Sequence, residues 1–585
     1  MLFQTVARFF DELESISSRT LMTEKLAELI SHATPAQARQ LIYFCLGTLN
    51  PPYIHTQFAI ARKNMVKIIA RMLHRSAEDI EATSAEVGDY GAYYAQHKTA
   101  HGVMDDLTIQ QVYQALQHIE QVEGTGSQEL KQQRVVDLLE CLSPQEGKYV
   151  IRIILGTLRL GFSDMTLLDA LSRLLAGDKS VKKTLEHAYN LCADLGAVAE
   201  VAKRDGIEGV KAMSVVVGIP IRLAAAERLP TAQDIVEKLG TCVAEPKLDG
   251  FRLQIHKGET EDGKTFVRFF SRNLLDMSDS FPDLVDAVLA LPCKSLICEG
   301  EAIAYNPNTG NFVPFQETVK RKRKHNIEET AQDLPLRVYL FDLLYLNGHL
   351  LLDKHLSTRR TELKSLINDS QQSAIVLIEE VAITTAQELE AYFYKQLGDG
   401  LEGVVVKRPD TSYQPGKRNF NWIKLKRQES GELSDTLDCV ILGYYFGEGK
   451  RASFGIGAFL VGLYNPAKDM YQTVAKIGTG LADAQWRQLR HDLDALAVAH
   501  KPVLVSCDPL LYPDVWVNPE RVVMVRADEI TRSPAHTAGK EAHEYGYALR
   551  FPRYMGDRPD KSAQESTTVA ELKTLFSQQK VIVNQ

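Results

Sequence analysis

At 585 residues the chain is too long for a single hydrophobic core, so three or four domains are expected. With 45% hydrophobic and 24% charged residues and no run of about eighteen apolar residues, it reads as a soluble globular protein without a helical membrane span. The net charge of −8 argues against a uniformly basic nucleic-acid binder and leaves local cationic clusters as the alternative.

Met1-Leu2-Phe3-Gln4-Thr5 lacks the basic-then-apolar layout of a secretion signal. Residues 1 to about 215 read as almost wholly helical, with apolar residues at helical spacing in Phe9-Phe10-Leu13, Leu26-Leu29-Ile30 and Tyr149 to Leu155. Ser143-Pro144-Gln145-Glu146 has the residues of a helix start. The turn from Gly156 to Asp164 is either a capped helix hairpin or a loop that meets a phosphate backbone. Gly218-Ile219-Pro220-Ile221-Arg222 breaks the pattern and opens a new domain, and from about 240 to 426 the pattern is mixed. There, short β-rich runs (266–270, 337–341, 403–407) alternate with helices over 281–291 and 386–397. Within it, Lys320-Arg321-Lys322-Arg323-Lys324 is the sharpest cationic run, a solvated loop or a grip on phosphates. The polar stretch 427–434 reads as a linker, and the strands and Gly-rich turns beyond it suggest a small β-barrel. Eight scattered cysteines without zinc-site spacing point to free thiols in a reducing, cytoplasmic compartment.

The chemistry gathers in the mixed region. Glu245-Pro246-Lys247-Leu248-Asp249-Gly250-Phe251-Arg252 puts a lysine just past a short apolar strand. Such a lysine becomes a nucleophile when burial or neighbouring cations favour its neutral form. Gly250 allows close backbone approach to a ligand, and Arg252 suits a ribose or phosphate oxygen. An ordinary β-turn is the alternative. Glu299 and Glu301 alternate and so share a strand face, solvated or holding a ribose hydroxyl or a metal. Phe341 ends a buried strand, as a core ring or a base-stacking one. Glu402 and Lys407 bracket the apolar run 403–406, and Lys424 and Lys426 share one face, suited to a polyphosphate.

Taken in order, Lys-x-Asp-Gly-x-Arg, Ser271-Arg272-Asn273, Glu299-Gly300-Glu301-Ala302, the run Phe341 to Gly348, Glu402 to Lys407 and Trp422-Ile423-Lys424-Leu425-Lys426 resemble the motifs of the covalent nucleotidyltransferase superfamily. That superfamily holds ATP-dependent DNA ligases, RNA ligases and mRNA capping enzymes. Arg532-Ser533-Pro534, Leu549-Arg550-Phe551-Pro552-Arg553 and Arg558-Pro559-Asp560-Lys561 are similar to the last motifs of the archaeal and eukaryotic-type DNA ligases, and the 156–163 turn and 88–91 resemble their helical domain. Two departures stand out. Gln57-Phe58-Ala59-Ile60 replaces the Glu-Leu-Gly-Ile of archaeal relatives, and Leu275 stands where some nuclear ligases carry an acidic residue tied to an extra metal.

The resemblance implies an all-α N-terminal DNA-binding domain over 1–215. An α+β nucleotidyltransferase (ATP-grasp-like ligase) domain follows over 216–427, and a C-terminal OB-fold barrel over 428–585. It implies nick sealing in DNA replication, repair and recombination through a Lys247–AMP intermediate, with ATP as cofactor and Mg²⁺ or Mn²⁺ as metal. Glu245 would read the adenine amino group, Phe341 stack on the base, Glu301 hold the ribose, and Arg252 and Arg272 contact ribose or phosphate. Arg418, Lys424 and Lys426 would bind phosphates, Glu402 with Glu301 the metal, and Arg550, Arg553 and Lys561 pyrophosphate. The implied partner is nicked double-stranded DNA, encircled by a monomer, with a sliding clamp as a further partner. An RNA ligase or capping enzyme shares the lysine chemistry but not the helical domain. A silent DNA-binding relative would be expected to lose Lys247 or the paired lysines.

Overall fold

The computed structural model describes residues 1–16, 18–80, 89–99, 106–158, 160–306, 312–313, 318, 321, 334–367, 374–399, 401–426, 436–447, 449–541 and 544–582. The linker at 427–434, Gly88, Arg159 and all of the 320–324 run except Arg321 lie outside them. Two compact units are present: Met1–Arg75 with Tyr94–Arg427, and Ser76–Tyr93 with Gln428–Gln585.

The first unit begins with helices, from Phe3–Ser15 through Leu195–Lys211. The periodic residues Phe9, Phe10, Leu13, Leu26, Leu29 and Ile30 are all buried, as amphipathic spacing requires. Reciprocal side-chain caps fix several starts. Ser143 Oγ accepts from the Glu146 N–H at 3.2 Å while Glu146 accepts from the Ser143 N–H at 2.8 Å. Gly156 and Gly161 have φ of 64° and 81°, which lets the chain turn before the helix Asp164–Ala176.

Two sheets follow. Their strands are β1 (Ala225–Arg228), β2 (Cys242–Pro246), β3 (Phe251–Glu259), β4 (Thr265–Ser271), β5 (Leu296–Ala304), β6 (Leu336–Leu346), β7 (His349–Leu350), β8 (Ile375–Leu377), β9 (Val381–Ile383), β10 (Gly403–Lys407) and β11 (Arg418–Lys426). One sheet has the order β1-β11-β10-β2-β9; the other runs β4-β3-β5-β6-β7, with β8 beside β6. The helices Ala232–Leu239 and Ala386–Gly398 cover the first sheet through Ile235, Leu389 and Phe393, which meet Val404, Val406, Ile423 and Leu425. A separate cluster draws on both sheets: Ile297, Phe341 and Leu344 from one, Trp422 from the other, with Leu248 and Tyr413. The chain passes from β2 to β3, and so from one sheet to the other, through the residues around Lys247.

The second unit carries β12 (Leu437–Tyr445), β13 (Ala458–Asn465), β14 (Met470–Ile477), β15 (Ala497–Val498), β16 (Val505–Ser506), β17 (Val515–Val517), β18 (Val522–Arg526), β19 (Glu529–Ser533), β20 (Gly546–Arg550) and β21 (Arg553–Asp557). β12 is its hub, paired with β13, β17 and β18, and β18 in turn pairs with β21. Trp486 and Leu489 of the helix Asp483–Asp494 and Leu572 of the helix Val569–Ile582 fill its core. Among the described residues no helix is long and apolar enough to cross a membrane, and all eight cysteines are free.

Candidate active site

Lys247 leaves the end of β2 held at both backbone ends. Its N–H donates to the Gly403 carbonyl at 2.9 Å, and its carbonyl accepts from the Glu402 N–H at 3.2 Å. The Lys247 ammonium contacts Glu402 Oε2, which also receives Lys426 Nζ at 2.9 Å. Burial alone would push the Glu402 carboxyl up, but Lys247 and Lys426 outweigh it and hold the group below its usual range. The same alternation that sends Ile423 and Leu425 into the helix-side core turns Lys424 and Lys426 to the other face. The Lys424 pKa is lowered by burial and then by Lys426, Arg418, Lys247 and Arg272, so these five cations share one field. Arg418 and Arg272 are exposed. Such a cluster is suited to several phosphate oxygens at once.

Glu301, on β5, lies within the field of Lys247, Arg252 and Glu402. Burial raises its carboxyl pKa to about 7, against the pull of Lys247 and Arg252. Gly250 is tightly placed here: a Cβ would lie 2.4 Å from the Ala302 carbonyl oxygen and 3.1 Å from Glu301 Cγ. The close approach that this glycine permits is therefore to the protein's own strand rather than to a ligand.

A second, apolar compartment adjoins the first. Phe341 and Trp422 meet edge to face at 6.0 Å, and Lys407 Nζ lies 4.5 Å from each ring. Lys407 pairs with the buried Glu245 at 2.6 Å. Burial raises the Glu245 pKa and lowers that of Lys407, each partner opposing the shift of the other. Glu245 Oε1 is buried without a hydrogen-bond partner, an acceptor fit for a base amino group. Phe341 lies mid-strand rather than at a strand end, because β6 runs on to Leu346 before the Asn347-Gly348 turn.

Arg252 is turned inward. Its guanidinium donates to the Ala224 carbonyl at 2.7 Å and to Glu299 at 2.8 Å. Glu299 also accepts from Gln254 at 3.2 Å and Tyr413 at 3.0 Å and is wholly buried, so it is a structural acceptor rather than a ligand. Tyr413, Trp422 and Lys407 complete the site without having been assigned a role in sequence. Lys407 carried a signal as the second charge bracketing an apolar strand, and Trp422 as the first residue of the motif that ends at Lys426; Tyr413 carried none. In the second unit, Arg550 pairs with Glu529 at 2.5 Å, Arg553 with Asp528 at 3.4 Å and Lys561 with Asp438 at 2.7 Å.

Among the described residues no three His, Cys, Asp or Glu side chains cluster as metal ligands. Glu301 and Glu402, both beside Lys247, still fit a hard cation that takes one or two carboxylates and fills its sphere with water and phosphate.

Comparison with known proteins gives the family of the whole chain. The family model for the ATP dependent DNA ligase domain matches residues 224–426, that for the DNA ligase N terminus 2–172, and that for the ATP dependent DNA ligase C terminal region 452–561. A probable DNA ligase of Dictyoglomus turgidum is 45% identical over 99% of this chain and 98% of its own length. DNA ligase 2 of Thermofilum pendens is 37% identical over 99% and 98%. The solved structure Pmar-Lig_PreS3, 17% identical, covers 94% of this chain and 99% of its own with a TM-score of 0.55, a likeness of fold. With a lysine-bearing turn between two sheets beside a cation cluster, and with all three regions matched, the chain belongs to the ATP-dependent DNA ligase family.

Proposed function

We propose that Lys247 is the adenylate carrier with which this ligase seals nicks in duplex DNA, in replication, repair and recombination. The Lys247 nitrogen attacks the α-phosphorus of ATP; an N–P bond forms, the bond to the pyrophosphate oxygen breaks, and lysine–AMP remains. AMP then passes to the 5′-phosphate of the nick, and the 3′-hydroxyl displaces it. The observation that carries this reading is the contact of Lys247 with Glu402 inside the Lys424–Lys426 field. Glu402 stands where it can take up the lysine proton, and Lys424, Lys426, Arg418 and Arg272 would neutralise the phosphates. Glu245 would accept from the adenine amino group and Phe341 would stack on the base. Arg252, turned inward, would act on the ribose side through Glu299 and the strand β3 rather than as a free clamp. Glu301 would hold the ribose. Bound between Glu301 and Glu402, Mg²⁺ or Mn²⁺ would neutralise phosphate charge.

The domains of this reading are helical DNA-binding (1–215), nucleotidyltransferase (216–427) and OB-fold (428–585), acting as a monomer. Among the described residues of 1–215 the regular elements are all helices, and the β12 hub supports the barrel. Arg550, Arg553 and Lys561 would orient pyrophosphate. The test is incubation with α-labelled ATP, GTP or NAD, followed by a chase with nicked DNA or RNA. Label is expected from ATP, absent in Lys247→Ala, and released on nicked DNA. An unlabelled wild-type protein, or a Lys247→Ala protein that labels normally, would overturn the assignment.

A further inference from the structure

Arg550, Arg553, Arg558 and Lys561 of the second unit are each engaged by a carboxylate of the same unit. Arg550 has Glu529, Arg553 has Asp528, and Arg558 and Lys561 converge on Asp438. This last cluster is the most enclosed. Arg558 Nη1 donates to both Asp438 oxygens, at 3.0 and 2.9 Å, and Lys561 Nζ to one of them at 2.7 Å. The Asp438 side chain is only 9% exposed, against 29% and 33% for its cations. Asp438 is itself immobilised: its N–H donates to Thr567 Oγ1 and its carbonyl accepts from the Thr567 N–H, each at 2.9 Å. Arg558 also forks onto Asp560 at 2.9 and 2.8 Å. Two cations and two carboxylates leave the cluster neutral, with a carboxylate where an anionic ligand would bind.

We propose that Asp438 is a positioning residue that holds Arg558 and Lys561 in register at the barrel rim and competes with pyrophosphate for them. The inference rests on the proposed role of Lys561 in orienting pyrophosphate. An anion engaging these cations must displace a fixed carboxylate, so Asp438 lowers their affinity for pyrophosphate while keeping both side chains aligned. Its physical consequence is easier release of pyrophosphate after the first step.

The experiment uses full-length lysine–AMP protein and measures its reversal by pyrophosphate, in which the N–P bond breaks and the P–O bond of ATP re-forms. In Asp438→Asn the half-saturating pyrophosphate concentration is expected to fall about three- to tenfold, the size of one partly screened charge interaction. Sealing of a pre-adenylated nick, which involves no pyrophosphate, shifts by a smaller factor. Asp438→Glu, which keeps the charge, restores the wild-type value. Asp438→Ser gives the same test should the amide disturb the rim. A half-saturation that is unchanged or raised in the neutral variants overturns the inference, as does an equal loss in all steps, the mark of a merely structural residue. Lys561→Ala separates the two readings. If it leaves half-saturation unchanged, the pyrophosphate role of Lys561 fails; if it raises it while Asp438→Asn changes nothing, only the role of Asp438 fails.

Discussion

Glu301 stands in an unfavourable position for a carboxylate. Burial lifts its pKa from 4.5 to about 7, and neither Lys247 nor Arg252 fully offsets this. The folded chain therefore binds the proton more tightly than the unfolded one. The stability linked to this group is present at low pH and is lost as pH rises through about 7. Replacing it by Glu301→Gln removes that loss. With nucleotide and divalent metal absent, the variant is expected to gain about 2 kcal/mol over the wild type between about pH 5 and pH 8, read by denaturant unfolding at each pH. The same variant should be slowed in lysine–AMP formation, since the amide neither neutralises a cation nor accepts as strongly from a ribose hydroxyl. A gain at pH 8 no larger than at pH 5 would show that the carboxyl titrates normally. The trade is physical: a group useful when ionised beside a ligand is a burden when the ligand is gone.

Strand alternation explains which parts of the site were readable in advance. In β10, Val404 and Val406 enter the helix-side core, which leaves Lys407 on the opposite face. In β11 the same rule aligns Lys424 with Lys426. Lys247, Glu402 and the two lysines were legible because each lies within a few residues of a strand end. The inward turn of Arg252 was not legible, because its partner Glu299 is 47 residues away and on another strand. Nor was the Tyr413–Glu299 hydrogen bond, across 114 residues, or the pairing of Glu245 with Lys407. That pair exists because β2 and β10 run antiparallel with Glu245 opposite Val405, which puts Lys407 on the diagonal. It sets a further prediction. Lys407→Met strands a buried carboxylate and should destabilise the protein by about 3–5 kcal/mol. Adding Glu245→Gln should recover most of that loss while leaving adenylation impaired. A double variant whose loss equals the sum of the two single losses would mean that the ion pair contributes no coupling. The measurement is a double-mutant cycle by chemical denaturation, with lysine–AMP formation followed in parallel.

A chain with a net charge of −8 repels DNA at long range, so its affinity must come from local cations that displace counterions from the phosphates. The helix Arg62–Leu73 presents one such row. Met65, Val66, Ile68 and Ile69 are buried, while Lys63, Lys67 and Arg71 recur every fourth residue on the exposed side. Each step along that row rises roughly 6 Å and turns about 40°, so an inclined row of positive charge is offered, suited to phosphates rather than bases. For a non-ligatable nicked duplex, the logarithm of the association constant is expected to fall with the logarithm of salt concentration at a slope of about −4 to −7, read by fluorescence anisotropy. Replacing Lys63, Lys67 and Arg71 by alanine should make that slope shallower by about 2 to 3 and weaken binding similarly on unrelated sequences. The two measurements fail separately. An unchanged slope in the triple variant takes this helix off the DNA and leaves the phosphate-driven account to the other cations. A nearly flat slope in the wild type removes that account altogether, and shape contact would then have to overcome the repulsion of the net charge unaided.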